Sequence, residues 1–260
     1  MAVTAPSLDD TLHPHTHTLT GPRWPDHHIH SEESMTRKIL AVALLTGASL
    51  LGSAPAADAE IGIGADVYNR YFFRGADFGD AVAVQPYISY TQGAIEIGAW
   101  SSWSITSAHG GNENDLYVTY SAGPLAVTLT DYYFPNVLVD PHHDPDASAS
   151  EFLDYGSDGA HVLEIMASYD LGSLSIMGAF NFRGDDDDSY YVELGLPLSS
   201  LSDDETEVSL SAALGNGAYV VEDDPALVFI GINVSQGDYS ASYIVNPDSE
   251  LSFLVFGKSL

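Results

Sequence analysis

The chain has 260 residues, 45% of them hydrophobic and 11% aromatic, and 37 acidic against seven basic residues give it a formal charge of −30. This length suits one or two ordinary domains or one large β domain. The absence of Cys excludes disulfides, thiol catalysis, thiolate metal sites and a Cys-linked lipid anchor, and the negative charge argues against nucleic-acid binding.

The first 59 residues have the features of an exported protein. Residues 35–38 are basic, residues 39–51 are mostly apolar and residues 57–59 form a small-x-small cleavage site, so we predict a secretory signal peptide over 35–59. Residues 1–34 hold six of the ten His. We interpret them as an upstream extension that is disordered or not translated, with a His-rich metal-binding tail as the alternative. The working domain is then 60–260.

The residues from 60 onward alternate between apolar and other types, without helical periodicity. Val228, Ile230 and Ile232, for example, alternate with Phe229 and Gly231. A period of two places successive side chains on opposite faces of a strand. The pattern predicts twelve strands, over 61–74, 81–91, 94–106, 114–122, 125–134, 161–171, 174–183, 189–198, 206–215, 226–235, 238–246 and 250–259.

The lengths and connections of these strands are typical of a membrane barrel. Several are longer than the ~5–6 residues usual in soluble proteins and approach the ~9–11 that a membrane-crossing strand needs. Residues 92–93, 123–124, 172–173 and 236–237 predict tight turns, whereas the alternate connections, such as 135–160, tend to be longer and more acidic. Short turns at one end and longer loops at the other characterise outer-membrane barrels. An even strand number also lets the first and last strands pair and close the sheet.

Aromatic residues cluster near the predicted outer rim of the barrel, where amphipathic rings favour the lipid headgroups. They are also common in strands of any kind, which is the alternative explanation. The clusters predict an aromatic girdle made of Tyr71, Phe72, Phe73, Tyr132, Tyr133, Phe134, Tyr190 and Tyr191.

Three motifs resemble the opening of the TorF-type porins (the Gcw_chp family): Tyr71-Phe72-Phe73-Arg74-Gly75, then Gln85, then Gly98-Ala99-Trp100-Ser101. In that family a Tyr-x-x-Arg-Gly motif closes the first strand and a Gly-x-Trp-x-Ser-like strand follows. Further similar segments are Tyr132-Tyr133-Phe134-Pro135, Glu164 and Tyr190-Tyr191-Val192-Glu193.

The resemblance covers residues 61–260, with two departures. Asn69-Arg70 stands where Ser-Asp is usual, and the chain ends in Leu260 rather than in an aromatic residue. The resemblance implies an outer-membrane β-barrel of porin type, without a defined substrate.

The polar residues in the inward phase of the strands are the candidate functional residues. An Arg or Lys side chain facing lipid at mid-depth costs about 2–4 kcal/mol, so we expect the charged residues to face the lumen or a polar rim. The candidate residues are Arg70, Arg74, Gln85, Glu96, Glu164, Asn181, Arg183 and Glu193. Two roles compete: Arg–Glu bridges that plug a narrow barrel, or the lining of a water-filled path whose negative charge favours cations.

Other chemistry has little support in the sequence. His142, His143, Asp144 and Asp146 are weak metal candidates, but their spacing matches no zinc motif and a solvated acidic loop is the preferred interpretation. No Gly-x-Ser-x-Gly motif and no Gly-rich phosphate loop is present, so we expect no enzyme activity and no cofactor.

The sequence therefore predicts an all-β protein, a closed antiparallel up-and-down transmembrane β-barrel of about twelve strands in the bacterial outer membrane. The expected function is a porin-like channel for passive diffusion of small solutes or ions, with a possible preference for cations. A non-conducting structural or adhesion barrel is the main alternative, and a soluble secreted β-sandwich is the third. The expected partners are outer-membrane lipid and small solutes or ions, and the oligomeric state is open.

Overall fold

A computed structural model describes residues 59–79, 81–106, 112–135, 152–156, 159–222 and 224–260. The predicted extension and all but the last residue of the predicted signal peptide lie outside them. The strands are β1 (Ala59–Tyr68), β2 (Phe72–Phe73), β3 (Ala76–Asp77), β4 (Ala83–Gln92), β5 (Ile95–Ser104), β6 (Glu113–Ala122), β7 (Leu125–Tyr133), β8 (His161–Asp170), β9 (Ser175–Arg183), β10 (Tyr190–Pro197), β11 (Thr206–Gly215), β12 (Ala226–Gln236), β13 (Tyr239–Asn246) and β14 (Leu251–Ser259). Gly217–Tyr219 form a short 3-10 turn. None of the described residues belongs to a helix with the length and hydrophobicity of a membrane span.

Twelve of the strands form one closed barrel with antiparallel neighbours throughout. Strands β4 to β14 follow one another around the barrel in chain order, and β1 lies between β14 and β4. The other two strands, β2 and β3, pair only with each other. The predicted all-β, closed, up-and-down barrel of twelve strands is therefore confirmed.

Alternation along the strands sorts the side chains between the outside and the lumen. Leu210 and Ile232 are paired across β11 and β12, and they are 40% and 39% exposed on the outer face. Their chain neighbours Ser211 and Asn233 point inward, where Asn233 Nδ2 donates to Ser211 Oγ at 3.1 Å. Every strand of the barrel exposes large apolar side chains in this way. The barrel therefore has an apolar outer belt and a largely polar interior.

The two ends of the barrel carry different connections. At the short-turn end, two-residue turns join β4 to β5, β6 to β7 and β12 to β13. Gly123 and Gly237 have φ of 61° and 55° in these turns, a conformation that glycine adopts without steric cost. At the opposite end, the loop end, residues 134–160 separate β7 from β8. This sorting of the connections agrees with the predicted one.

The first strand is shorter than the predicted 61–74, because the chain leaves the barrel wall after Tyr68. Asn69 makes the last contacts with β14. Its backbone N–H donates to the Phe256 carbonyl at 3.0 Å. Its side chain accepts from the Phe256 N–H at 2.8 Å and donates to the Leu254 carbonyl at 3.0 Å.

Residues 70–79 form a hairpin, which we call the inner hairpin, because its side chains contact the inner face of the barrel. The turn between β2 and β3 has φ of 50° at Arg74 and 90° at Gly75. The Phe78 N–H donates to the Tyr71 carbonyl at 2.9 Å and closes the hairpin. The prediction that the first barrel strand continues to residue 74 is wrong, because residues with strand propensity continue past the point where the chain leaves the barrel wall.

The seam between β1 and β14 is the shortest interface of the barrel. Its ladder runs only from Asp66, paired with Ser259, to Tyr68, paired with Gly257. Gly257 lies under the ring of Tyr68, so a Cβ atom at this position would overlap the ring. A larger residue at 257 must therefore displace Tyr68 from the seam.

We expect Gly257→Val to weaken the barrel by about 1–3 kcal/mol, the usual range for overpacking a close contact. The measurement is the temperature at which the protein loses its compact, heat-modifiable migration in detergent gels. Gly178→Val in β9 is the matched control, because no atom lies within 4 Å of the Cβ position there. Equal loss of heat resistance in both variants would contradict a specific role of the seam.

Candidate functional site

The inner hairpin is held in the lumen by a buried ion pair between Arg74 and Glu164. Arg74 Nη2 donates to Glu164 Oε1 at 2.9 Å, and Arg74 Nη1 donates to Glu164 Oε2. The two residues are only 8% and 1% exposed. Because an isolated charge is costly to bury, this two-pronged contact is what allows either residue to occupy the interior.

Aromatic residues complete the surroundings of this pair. The Tyr132 hydroxyl donates to Glu164 Oε1 at 3.0 Å, and Arg74 Nη1 donates to the Tyr219 hydroxyl oxygen at 2.8 Å. The guanidinium carbon lies 4.6 Å from the centroid of the Phe73 ring and 5.3 Å from that of Tyr191. Rings at these distances favour a cation. Burial raises the pKa of Tyr219 to about 12, so its hydroxyl stays neutral beside the pair.

Tyr71 provides a second attachment of the inner hairpin. Its hydroxyl donates to Glu113 Oε2 at 2.7 Å. Its ring packs against Phe78 and Trp100, with centroids 5.0 and 5.7 Å away. Burial raises the pKa of Tyr71 well above its usual value, which keeps the hydroxyl a neutral donor. The hairpin is thus fixed on the β6 side as well as on the β8 side.

The third attachment lies on the side of β12 to β14. The Phe72 ring packs against Phe253 and Phe229, with centroids 4.9 and 6.4 Å away. Asn246 Nδ2 donates to the Gly75 carbonyl at 2.9 Å. Contacts on opposite sides of the barrel therefore hold the inner hairpin across the lumen.

A cavity of about 770 Å³ lies in the lumen beside the inner hairpin. Its lining includes Arg74 and Tyr132 near the loop end, and Glu96 and Ser240 near the short-turn end. Glu96 and Ser240 are each the second residue of a strand that follows a short turn. The cavity therefore extends from the inner hairpin to the short-turn end of the barrel.

Two carboxylates in this cavity have hydroxyl partners. Glu96 accepts from the Tyr117 hydroxyl at 2.9 Å and from Thr91 Oγ1 at 3.1 Å. Glu193 accepts from the Tyr191 hydroxyl at 2.8 Å. In the part of the chain that the structure describes, neither carboxylate forms an ion pair. Both can therefore contribute negative charge to the lumen.

The other four predicted lumen residues each have a different polar partner. Arg70 lines the cavity and pairs with Asp77 of the inner hairpin. Gln85 also lines the cavity, and its Nε2 lies 3.4 Å from Ser102 Oγ. Asn181 is buried and donates to Asp185 at 2.7 Å, near the loop end. Arg183 is exposed and donates to the Tyr155 carbonyl at 2.5 Å, which directs it to the neighbouring loop.

The predicted girdle residues are divided between the lumen and the outer face. Tyr71, Phe72, Phe73, Tyr132 and Tyr191 make the interior contacts described above, so the structure places them inside the barrel. The inner hairpin is the reason for the first three, and strand alternation for the other two. Tyr133 stacks on His161 at 4.7 Å, on the opposite face of β7 from Tyr132. Phe134 donates its N–H to the Ala160 carbonyl, and Tyr190 is half-buried.

Sequence analysis missed several residues that complete the lumen. Glu113, Asp115 and Tyr117 all line one face of β6, and their spacing of two residues was a usable signal. Tyr219 and Asn246 have no such signal, since their roles depend on where the inner hairpin lies. His142, His143, Asp144 and Asp146 fall outside the described residues. Within the described ranges, no three His, Asp or Glu side chains are grouped to hold a metal ion.

Comparison with known proteins yields distant structural similarity only. No family model matches the chain, and no curated protein matches it. A mutant of the porin from Rhodopseudomonas blastica is similar at 12% identity and a TM-score of 0.32, covering 78% of this chain and 100% of that one. A triple mutant of the same porin gives 12% identity, a TM-score of 0.33, and coverage of 78% and 99%. At these values the similarity says nothing about function.

We expect Arg74→Met to destabilise the protein by about 3–5 kcal/mol, because it leaves the Glu164 carboxylate buried without a counter-charge. Adding Glu164→Gln should restore part of this loss by removing the stranded charge. The measurement is the free energy of unfolding in detergent, compared across the two single variants and the double variant. Strictly additive losses would show that the two side chains do not act as a pair.

Proposed function

We propose that the protein is an outer-membrane channel through which small solutes or ions diffuse passively. The observation that carries this proposal is a closed barrel with large apolar side chains exposed on its outside and a cavity with polar and charged groups inside. A closed sheet satisfies its own backbone hydrogen bonds, which is what hydrocarbon surroundings require. The short-turn end would then face the periplasm and the loop end the exterior.

Two further features support this proposal. The predicted signal peptide over 35–59 supports export, and the resemblance of residues 61–260 to the TorF-type porins supports an outer-membrane location. Twelve strands enclose a lumen between that of filled eight-stranded barrels and that of open 16-stranded porins. The inner hairpin narrows this lumen further, so small solutes are the suitable cargo.

Cation preference is the finer part of the proposal. Glu164 is one of the three carboxylates among the predicted lumen residues, but its charge is balanced by Arg74. Arg70 is balanced by Asp77 in the same way. Glu96 and Glu193 are the acidic groups of the cavity to which we assign the preference, since a negative lumen concentrates cations.

The inner hairpin also supports a second candidate, a non-conducting structural or adhesion barrel. Its attachments to Glu164, Glu113 and Asn246 reach across the lumen, as a plug would. A plugged barrel and a narrow channel share the same wall and the same outer belt. Ion conductance is the property that separates them.

We expect Ile232→Arg, near the middle of β12 on its outer face, to destabilise the barrel in phosphatidylcholine vesicles by about 2–4 kcal/mol. The matched control is Asn233→Arg, because the next side chain of the same strand points into the lumen and lines the cavity. The measurement is the free energy of unfolding from vesicles. If both variants lost the same stability, the outer belt would not be facing lipid.

We expect the wild-type protein to conduct ions in planar bilayers and to show a cation-selective reversal potential under a salt gradient. Glu96→Gln/Glu193→Gln should conduct with a weaker cation preference, because two of the acidic groups that line the cavity are removed. Glu205→Gln is the matched control, since Glu205 is exposed in the connection before β11.

The outcomes of this experiment separate the two candidates. Insertion of a heat-modifiable barrel without conductance would reject the channel in favour of the plugged barrel. Anion selectivity of the wild-type protein would reject the cation preference and leave the channel. An equal shift of the reversal potential in the Glu205→Gln control would show that surface charge, not the cavity, sets the selectivity.

A further inference from the structure

Part of the wall of the lumen cavity, along the arc from β8 to β14, is apolar, which the passage of small polar solutes does not require. Met166, Met177 and Val255 line the cavity and are half-buried. They pack against a buried apolar cluster that includes Phe229 and Ile244. Apolar surface left in water costs roughly 25 cal/mol per Å². A ligand that covers this wall therefore gains binding free energy.

The inner hairpin accounts for only part of the wall. Phe72 of the inner hairpin packs against Phe229 and Phe253, so the inner hairpin already covers these two residues. Met177 and Val255 line the cavity and remain half-buried with the inner hairpin in place. Their apolar surface is therefore available to another occupant.

The negative charge of the cavity indicates that this occupant carries a positive charge. Glu96 is on β5 and Glu193 on β10, five strands apart in a ring of twelve, so the two carboxylates lie on nearly opposite sides of the lumen. A tyrosine hydroxyl holds each of them, Tyr117 for Glu96 and Tyr191 for Glu193. A carboxylate attracts a cation, and within the described residues neither of these two forms an ion pair.

We propose that the lumen cavity binds organic cations with an apolar body, with the charged group near Glu96 or Glu193 and the apolar body against the arc of the wall to which Met166, Met177 and Val255 contribute. The cavity volume of about 770 Å³ falls within the roughly 300–1,000 Å³ of small-molecule sites. The inference rests on the proposed channel function, since it names the class of solute that this channel would select.

Equilibrium dialysis tests the site with the protein in phosphatidylcholine vesicles and radiolabelled benzyltrimethylammonium as the probe. We expect saturable binding. Tetramethylammonium has the same charge without the ring and should bind about tenfold more weakly, because it covers less of the apolar wall. Benzenesulfonate, which carries a ring with a negative charge, should not bind.

Two variants separate the contribution of the carboxylates from that of the apolar wall. Glu96→Gln/Glu193→Gln should lower the affinity for both cations about tenfold or more, because the charged partners are lost. Met177→Gln/Val255→Thr should weaken the binding of benzyltrimethylammonium and leave that of tetramethylammonium unchanged. Glu205→Gln is the control, and heat-modifiable migration confirms that each barrel is formed. Equal uptake by the wild-type protein and the Glu96→Gln/Glu193→Gln variant would overturn the proposal, since uptake would then be partition into lipid.

Conductance measurements on the same preparations distinguish the proposed binding site from the proposed channel function. An ion-conducting barrel without saturable cation binding overturns the site and leaves the channel. Saturable binding in a barrel that passes no ions supports the site and overturns the channel. Binding that depends on the carboxylates but is equal for both cations overturns the role of the apolar wall.

Discussion

Closure of the sheet is the constraint on which the rest of the structure depends. In a barrel that faces lipid, an open strand edge leaves backbone groups without partners, at a cost of several kcal/mol for each group. The seam between β1 and β14 meets this constraint with the shortest ladder. Asn69 extends it, because its side chain bonds to the Phe256 N–H and the Leu254 carbonyl as a strand backbone would. The side-chain amide thus lets the chain leave the wall while β14 keeps its partners.

Leaving the wall after Tyr68 brings a charged hairpin into the interior, and this determines the electrostatics of the lumen. Arg74 and Glu164 neutralise each other, and the hydroxyls of Tyr132 and Tyr219 make further hydrogen bonds to the pair. A buried pair of this kind adds little net stability compared with apolar packing, but breaking it is costly. Its effect is to hold the inner hairpin in one position. Because Glu164 is paired with Arg74, the cation preference of the proposed channel is assigned to Glu96 and Glu193.

Period-two alternation predicted the strands, and their lengths, their even number and the sorting of short and long connections predicted the closed barrel. The predicted strand 206–215 agrees with β11 at both ends. The same signal fails for 69–74, because Tyr71, Phe72 and Phe73 have strand propensity whether they continue the wall or turn into the lumen. Strand phase identified Glu96 and Glu193 as lumen residues. It could not show that Glu164 is neutralised, since that depends on the position of Arg74 in space.

A plug and a path are the two roles predicted for the charged lumen residues, and the Arg74–Glu164 pair and the two cavity carboxylates lie at different levels of the barrel. The ion pair and its tyrosines lie near the loop end, where β7 ends and β8 begins. The cavity continues from there to Glu96 and Ser240 at the short-turn end. In the proposed channel, a solute coming from the short-turn end therefore reaches both carboxylates before it meets the inner hairpin. Selection by charge and restriction by size are then separate steps. The carboxylates of the cavity select cations, and the inner hairpin limits the size of the solute that passes.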